Sequence, residues 1–206
     1  MNCLSLNARG IKGKGKSGWI SGLRLSQGVD FLAIQESKTK DLSQRPISSC
    51  WGNSSFNCEF VNSDGIVGGG LISWWDPSCF RVSGVFKSKH VLIISGLLIH
   101  SAVHVNVANI HAPNDPSSRR ASWYELLLYR RSLLGLWILL GDFNEVRSSD
   151  GRINSEFFSQ NVIAFNDFIR DTELVEYNYS GLKYTYMSAK GDKMSKLDKS
   201  WCVKNL

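Results

Sequence analysis

Short apolar runs broken by turn residues recur along most of this chain. Runs of about 4–8 residues bounded by Gly, Pro, Asn, Asp or Ser read as strands. They fall at Cys3 to Asn7, Phe31 to Gln35, Cys58 to Asn62, Gly70 to Trp75, Arg81 to Phe86, Val91 to Ser95, Val103 to Ile110, Leu136 to Leu140 and Lys183 to Met187. Three longer stretches carry the helical period instead. They are Ser17 to Ser26, Ser117 to Leu134 with Ser117 as the capping residue, and Ser155 to Asp171 with Phe158, Val162, Phe165 and Ile169 on one face. Groups of strands separated by occasional helices predict a layered α/β fold with a mixed sheet, not a strict alternation of strand and helix.

Length and composition narrow the picture. The chain has 206 residues, no internal repeat and no linker-like tract, which predicts one domain over residues 1–206. The most apolar stretches, Val91 to Ile99 and Leu133 to Leu140, reach half of the roughly 18 residues that a membrane helix needs, so no membrane partner is expected. Polar Asn2, Ser5 and Asn7 interrupt the region where a signal peptide would be apolar, which predicts an intracellular protein, nuclear or cytoplasmic. Five cysteines without a CxxC pair predict free thiols, not a zinc ribbon or a disulfide framework. The net charge is +6, and residues 1–140 hold 15 Lys and Arg against 8 Asp and Glu, while residues 141–206 hold 9 against 10. A basic excess on the first two thirds suits a polyanionic partner.

Several segments carry candidate chemistry. Gly10-Ile-Lys-Gly-Lys-Gly15-Lys16-Ser17 matches the phosphate-binding loop pattern, but the strand before it is interrupted by polar residues, and a basic loop is the preferred reading. Phe31-Leu-Ala-Ile-Gln35-Glu36 is an apolar strand that delivers a carboxylate at its C-terminal end, where ligand sites of α/β sheets gather. Trp137-Ile-Leu-Leu-Gly141-Asp142-Phe-Asn144 does the same with Asp142 and Asn144, which a simple Asx turn would also explain. The segments Asn109-Ile-His111-Ala-Pro113-Asn114, Tyr184-Thr185-Tyr186 and Ser195-Lys-Leu-Asp198 also end strands in polar groups. Carboxylates at neighbouring strand ends suit a hard cation such as Mg²⁺.

These pieces resemble, in order, the motifs of the endonuclease/exonuclease/phosphatase superfamily, and within it the apurinic-type endonuclease domain of plant LINE-type (non-LTR) retrotransposons. The matching segments are Ser5-Leu-Asn7-Ala-Arg-Gly10, Gln35-Glu36-Ser-Lys38, Gly68-Gly-Gly-Leu-Ile-Ser-Trp74, Asn109-Ile-His-Ala-Pro113, Gly141-Asp-Phe-Asn144, Tyr184-Thr-Tyr186 and Ser195-Lys-Leu-Asp198. The resemblance implies a DNase I-like two-sheet β-sandwich flanked by helices, α/β (α+β) in class, with Mg²⁺ as cofactor and Mn²⁺ as an alternative. It implies that Glu36 is the principal metal ligand and that Asn7 supports it. Asp142 would orient or activate the attacking water, Asn144 would bind the scissile phosphate, His111 would donate to that phosphate, and Asp198 would orient a catalytic histidine. Thr185, Asn109, Asn114 and Lys38 would contact DNA. The parent element would also carry a reverse transcriptase, and the domain is expected to be a monomer.

Three departures bear on activity. His111 stands where the family has Tyr, and Leu6 where it has Trp. The family's final strand with Ser-Asp-His has no counterpart before Leu206, and His90, His100, His104 and His111 all precede Asp198. The expectation is a domain incomplete at its C-terminus, with its final strand missing and its nicking of target DNA impaired. A catalytically inactive nucleic-acid-binding remnant and a phosphatase of the same superfamily are the alternatives.

Overall fold

The computed structural model describes residues 1–39, 47–52, 55–62, 69–177 and 183–203, so Gly68 and residues 204–206 lie outside the described residues. The first part of the chain forms β1 (Cys3–Asn7), α1 (Lys16–Ser26), β2 (Phe31–Gln35), α2 (Ile47–Trp51), β3 (Asn57–Val61) and β4 (Leu71–Trp75). Its strands make a sheet in the order β1-β2-β4-β3. Then come β5 (Phe80–Lys87), β6 (Val91–Leu98), β7 (Val103–His111), α3 (Pro116–Ser132) and β8 (Leu136–Asp142). The chain ends in β9 (Arg152–Ile153), α4 (Ser159–Asp171), β10 (Leu174–Glu176), β11 (Tyr186–Met187), β12 (Met194–Ser195) and β13 (Asp198–Val203). The second sheet runs β10-β13-β8-β7-β6-β5, and a small third one β11-β12-β9.

Strand apolarity on both faces explains the layering. In β2, Phe31 and Ala33 pack against the six-stranded sheet with Leu92, Ile94, Val105 and Val107, while Leu32 and Ile34 pack outward with Ile20 of α1 and Trp51 of α2. In the six-stranded sheet, Val91, Ile93, Ala108 and Leu139 face outward onto Trp123 and Leu126 of α3 and Phe165 and Ile169 of α4. The central strands β2, β4 and β6 are therefore buried on both faces and read as continuous apolar runs, whereas the edge strand β5 alternates. The result is helix, sheet, sheet, helix, the two-sheet sandwich flanked by helices.

Several boundaries differ from the sequence reading. The cap of α3 is Asp115, whose side chain accepts from the Ser118 amide at 2.8 Å, not Ser117. Helix α4 starts at Ser159 rather than Ser155, so Phe158 is not on its buried face and is 59% exposed. Only Tyr186–Met187 of the expected strand at Lys183 to Met187 is paired. Strand β13, which no apolar pattern announced, lies inside the six-stranded sheet between β10 and β8. Strand β1 ends the four-stranded sheet, and among the described residues no strand pairs with its outer edge.

Candidate active site

Two parallel crossovers decide where the polar residues gather. β1–α1–β2 and β7–α3–β8 are the parallel pairs, and all other pairings among the described residues are antiparallel. A parallel pair brings both C-terminal ends to the same side. The first pair ends at Asn7 and Gln35, just before Glu36, and the second ends at His111 and Asp142. β13 runs antiparallel to β8 and starts where β8 stops, so Asp198 is the register partner of Asp142. His111, Asp142 and Asp198 thus stand side by side across three adjacent strands.

The two sheets meet at Asn7. Its side-chain nitrogen donates to Glu36 Oε1 at 2.9 Å and to Asp142 Oδ2 at 3.2 Å, bridging carboxylates 106 positions apart in sequence. His111 Nε2 lies 3.7 Å from Glu36 Oε1, and ligand atoms of Glu36, His111 and Asp142 all fall within 4.8 Å of one another. Lys38 Nζ holds the other Glu36 oxygen at 3.4 Å. Two carboxylates and an imidazole around an amide donor form a set of groups that fits a divalent cation.

Unusual backbone geometry concentrates here. Arg9, Glu36, Lys38 and Asn144 have φ of 47°, 51°, 51° and 51°. Non-glycine residues in this region carry strain of about 1–3 kcal/mol each, which surrounding structure must hold. Gly141 has φ of 133°, and a Cβ there would lie 2.1 Å from the Ile110 carbonyl oxygen, so only glycine lets β8 approach β7 just before Asp142. Asp142 does form the Asx turn, with the Asn144 amide donating to Oδ1 at 2.8 Å. That leaves Oδ2 aimed at Asn7, so the turn and the site coexist.

These groups line one cleft of about 1380 Å³ with Asn114, Thr185, Arg9, Lys89, Arg119, Arg152 and Lys193 along it. Of the candidate residues, Asn7, Glu36, Lys38, His111, Asn114, Asp142, Asn144, Thr185 and Asp198 line this cleft. Asn109 is the exception. It is fully buried between the sheets, accepting from Gln35 Nε2 at 2.6 Å and donating to the Ile72 carbonyl at 3.0 Å. It pins the two sheets together and does not line the cleft, unlike the other expected DNA contacts Lys38, Asn114 and Thr185. Thr185 has a structural task besides facing the cleft: its Oγ1 accepts from the Leu197 and Asp198 amides at 3.1 and 3.0 Å.

The phosphate-loop match is also accounted for. The Gly10 and Ile11 amides donate to the Glu36 and Ser37 carbonyls, and Lys16 Nζ donates to the Ala8 carbonyl. These two amides and the Lys16 ammonium are engaged within the chain and are not free to meet a nucleotide phosphate. None of Lys12, Lys14 and Lys16 lines the cleft; Arg9 does, with its guanidinium 5.3 Å from the Tyr186 ring centre.

The electrostatics separate the carboxyl groups. Partial burial pushes Glu36 up, but the Asn7 hydrogen bond together with His111 and Lys38 outweighs it and holds Glu36 below the usual carboxylate range. Burial raises Asp142, against the Asn144 amide and Asn7. Burial and then the neighbouring Asp142 push Asp198 up to about 6. Burial lowers His111 despite Glu36 and Asp198 nearby, which favours a neutral ring.

Two features were not anticipated. Lys199 is buried, its ammonium donating to the carbonyls of Glu145, Lys196 and Leu197 at 2.5, 2.8 and 3.3 Å, which ties the loop after Asp142 to the loop before Asp198. Burial brings its pKa down to about 8. Glu145, equally buried, receives Arg119 at 2.8 Å and Arg152 at 3.0 Å, joining α3 and β9 to the same loop. Alternation along β13 carries a signal for Lys199, since it shares a face with the buried Trp201.

No protein-family model matches the sequence, and no curated protein matches it. Solved structures do. The chain is similar to the AP endonuclease LMAP from Leishmania major, with TM-score 0.72 at 13% identity over 98% of this chain and 78% of that one. It is similar to the endonuclease domain of TRAS1, a telomere-specific non-LTR retrotransposon, with TM-score 0.71 at 12% identity over 98% and 84%. The 3′ phosphatase NExo from Neisseria, solved with a product DNA hairpin, gives TM-score 0.70 at 16% identity over 98% and 86%. The described residues thus share the fold of these solved structures, a DNase I-like two-sheet sandwich flanked by helices.

Proposed function

We propose that the cleft hydrolyses phosphodiester bonds of DNA with a divalent metal, and that the chain is the endonuclease domain of a LINE-type non-LTR retrotransposon. The observation that carries this reading is the Asn7 amide held between Glu36 and Asp142, a donor at the point where two sheets offer one cation their carboxylates. Similarity to an AP endonuclease, a retrotransposon endonuclease domain and a DNA-bound 3′ phosphatase supports it. Glu36 and, with its amide turned to present Oδ1, Asn7 would hold the metal, Mg²⁺ or Mn²⁺, which when bound supplies charge against the phosphate.

The chain's own residues do the rest. Asp142, whose carboxyl is raised by burial, aligns the attacking water and takes its proton. Asn144 and His111 donate to the phosphate oxygens as charge builds there. Lys38, Arg9 and Asn114 along the cleft meet the DNA backbone. In its element, the domain would act as a monomer beside a reverse transcriptase, in the nucleus or cytoplasm.

One observation favours slow turnover. Asp198 Oδ1 is buried without a hydrogen-bond partner among the described residues, a carboxyl oxygen with nothing there to orient. A DNA-binding protein with little or no turnover is therefore the second reading. The test is duplex binding by fluorescence polarisation alongside nicking of supercoiled plasmid. Salt-sensitive binding with metal-dependent nicking supports the enzyme, and binding without nicking under any metal supports the remnant. Selective release of phosphate from inositol phosphates would replace both with a phosphatase. Among the described residues no helix is long and apolar enough to cross a membrane.

A further inference from the structure

We infer that the metal seat is built to take a transition-metal dication through an imidazole, with His111 as a direct ligand beside Glu36 and Asp142 instead of a donor to the phosphate, in place of an all-oxygen Mg²⁺ site. The inference rests on the metal-dependent reading above and adds the identity of the ion.

Three observations carry it. The His111 ring nitrogen Nε2 is 3.7 Å from Glu36 Oε1, and the ligand atoms of Glu36, His111 and Asp142 lie within 4.8 Å of one another. Donors bound about 2.0–2.2 Å from one ion sit roughly 3–4 Å apart, so small side-chain rotations close this set. The histidine is also held from behind. Its amide donates to the His90 carbonyl at 3.0 Å, its carbonyl lies 3.1 Å from His90 Nδ1, and the next amide, Ala112, donates to the Asp142 carbonyl at 2.8 Å. A ring on so fixed a backbone is aimed into the seat, not loose at its rim. Finally, Lys38 engages Glu36 Oε2, so the Glu36 oxygen that faces His111 is Oε1, which the Asn7 amide also holds.

The chemistry of the donors then selects the ion. Mg²⁺ takes oxygen ligands in a strict octahedron and keeps several waters, whereas imidazole suits Mn²⁺, Co²⁺ and Zn²⁺ increasingly well. One nitrogen among two carboxylates moves the preference toward the latter group.

The test titrates the full chain with Co²⁺, followed by its visible absorption, and with Mg²⁺ by calorimetry. The same titrations on His111→Tyr and His111→Gln isolate the imidazole. Loss of a ligand should weaken Co²⁺ binding by at least about tenfold in both variants, while Mg²⁺ affinity changes by less than about twofold. Zn²⁺ added to the unmodified chain should shift the His111 ring nitrogens in long-range ¹H–¹⁵N spectra, a readout that needs no variant to fold. Equal changes for Co²⁺ and Mg²⁺, or unshifted ring nitrogens, would overturn the inference. Glu36→Gln separates this from the parent reading. If that variant loses every metal while the histidine variants bind Co²⁺ normally, only the imidazole role fails. If Glu36→Gln binds Co²⁺ and Mg²⁺ as well as the unmodified chain does, the metal site itself is wrong.

Discussion

Asp142 and Asp198 are register partners on adjacent antiparallel strands, and both carboxyl groups open into the same cleft. Burial first, and then the like charge of Asp142 beside it, push Asp198 up to about 6.

A raised carboxyl pKa has a definite sign for stability. Between its usual value of 3.8 and about 6, folded Asp198 holds a proton that the unfolded chain releases, so stability falls as pH rises through this window. Asp198→Asn removes that loss. In metal-free buffer its melting temperature should exceed that of the unmodified chain at about pH 7.5, and the gap should close near pH 4. A variant less stable at both pH values would show that the Asp198 charge is compensated in the fold.

Lys199→Met tests the buried ammonium. The three carbonyls of Glu145, Lys196 and Leu197 lose their shared donor, and orphaned buried acceptors cost about 1–3 kcal/mol each. Urea unfolding should show a net loss of roughly 2–4 kcal/mol after repacking, and DNA nicking should fall with it, because the loops bearing Asn144 and Asp198 are no longer joined. Unchanged stability would mean that water replaces the ammonium.

Glu145→Gln leaves the buried guanidinium of Arg119 without its counter-charge and weakens the hold on Arg152. Removing one partner of a buried ion pair typically costs about 3–5 kcal/mol, so a fall of that order in chemical denaturation is expected. A loss under about 1 kcal/mol would place this cluster in solvent reach.

If Asp198, whose buried Oδ1 has no hydrogen-bond partner among the described residues, is poised to orient an imidazole, added imidazole should speed nicking by the unmodified chain. Asp198→Ala should cancel the gain, since general acid–base groups contribute about 10²–10⁴-fold. An equal gain in both proteins would remove Asp198 from that role.

Much of this site was legible because motif chemistry and strand ends coincide. Glu36, His111 and Asp142 each follow an apolar run, and parallel crossovers collect such ends in one place. What stayed hidden was decided by neighbours remote in sequence. Asn109 looks like one more polar residue near a strand end, yet it sits two residues before His111 and points between the sheets to Gln35 and Ile72. Lys199 reads as a surface charge because β13 opens with Asp-Lys-Ser, and only the cover of α4, with Phe165 5.3 Å beneath the ammonium, makes that face interior. The start of α4 was misread because apolar Phe158 fits the helical period, although the chain enters the helix one residue later and leaves Phe158 on the cleft rim.

The central claim is that Glu36 and Asp142 act together on a phosphodiester through one metal seat. Nicking of supercoiled plasmid by the unmodified chain, by Glu36→Gln and by Asp142→Asn, with Mn²⁺ or Mg²⁺ and with chelator, tests it most directly. The account predicts slow nicking by the unmodified chain that chelator abolishes, and a loss of about 10²-fold or more in each variant with DNA affinity retained. Nicking by either variant at the unmodified rate, or nicking that survives the chelator, would contradict it.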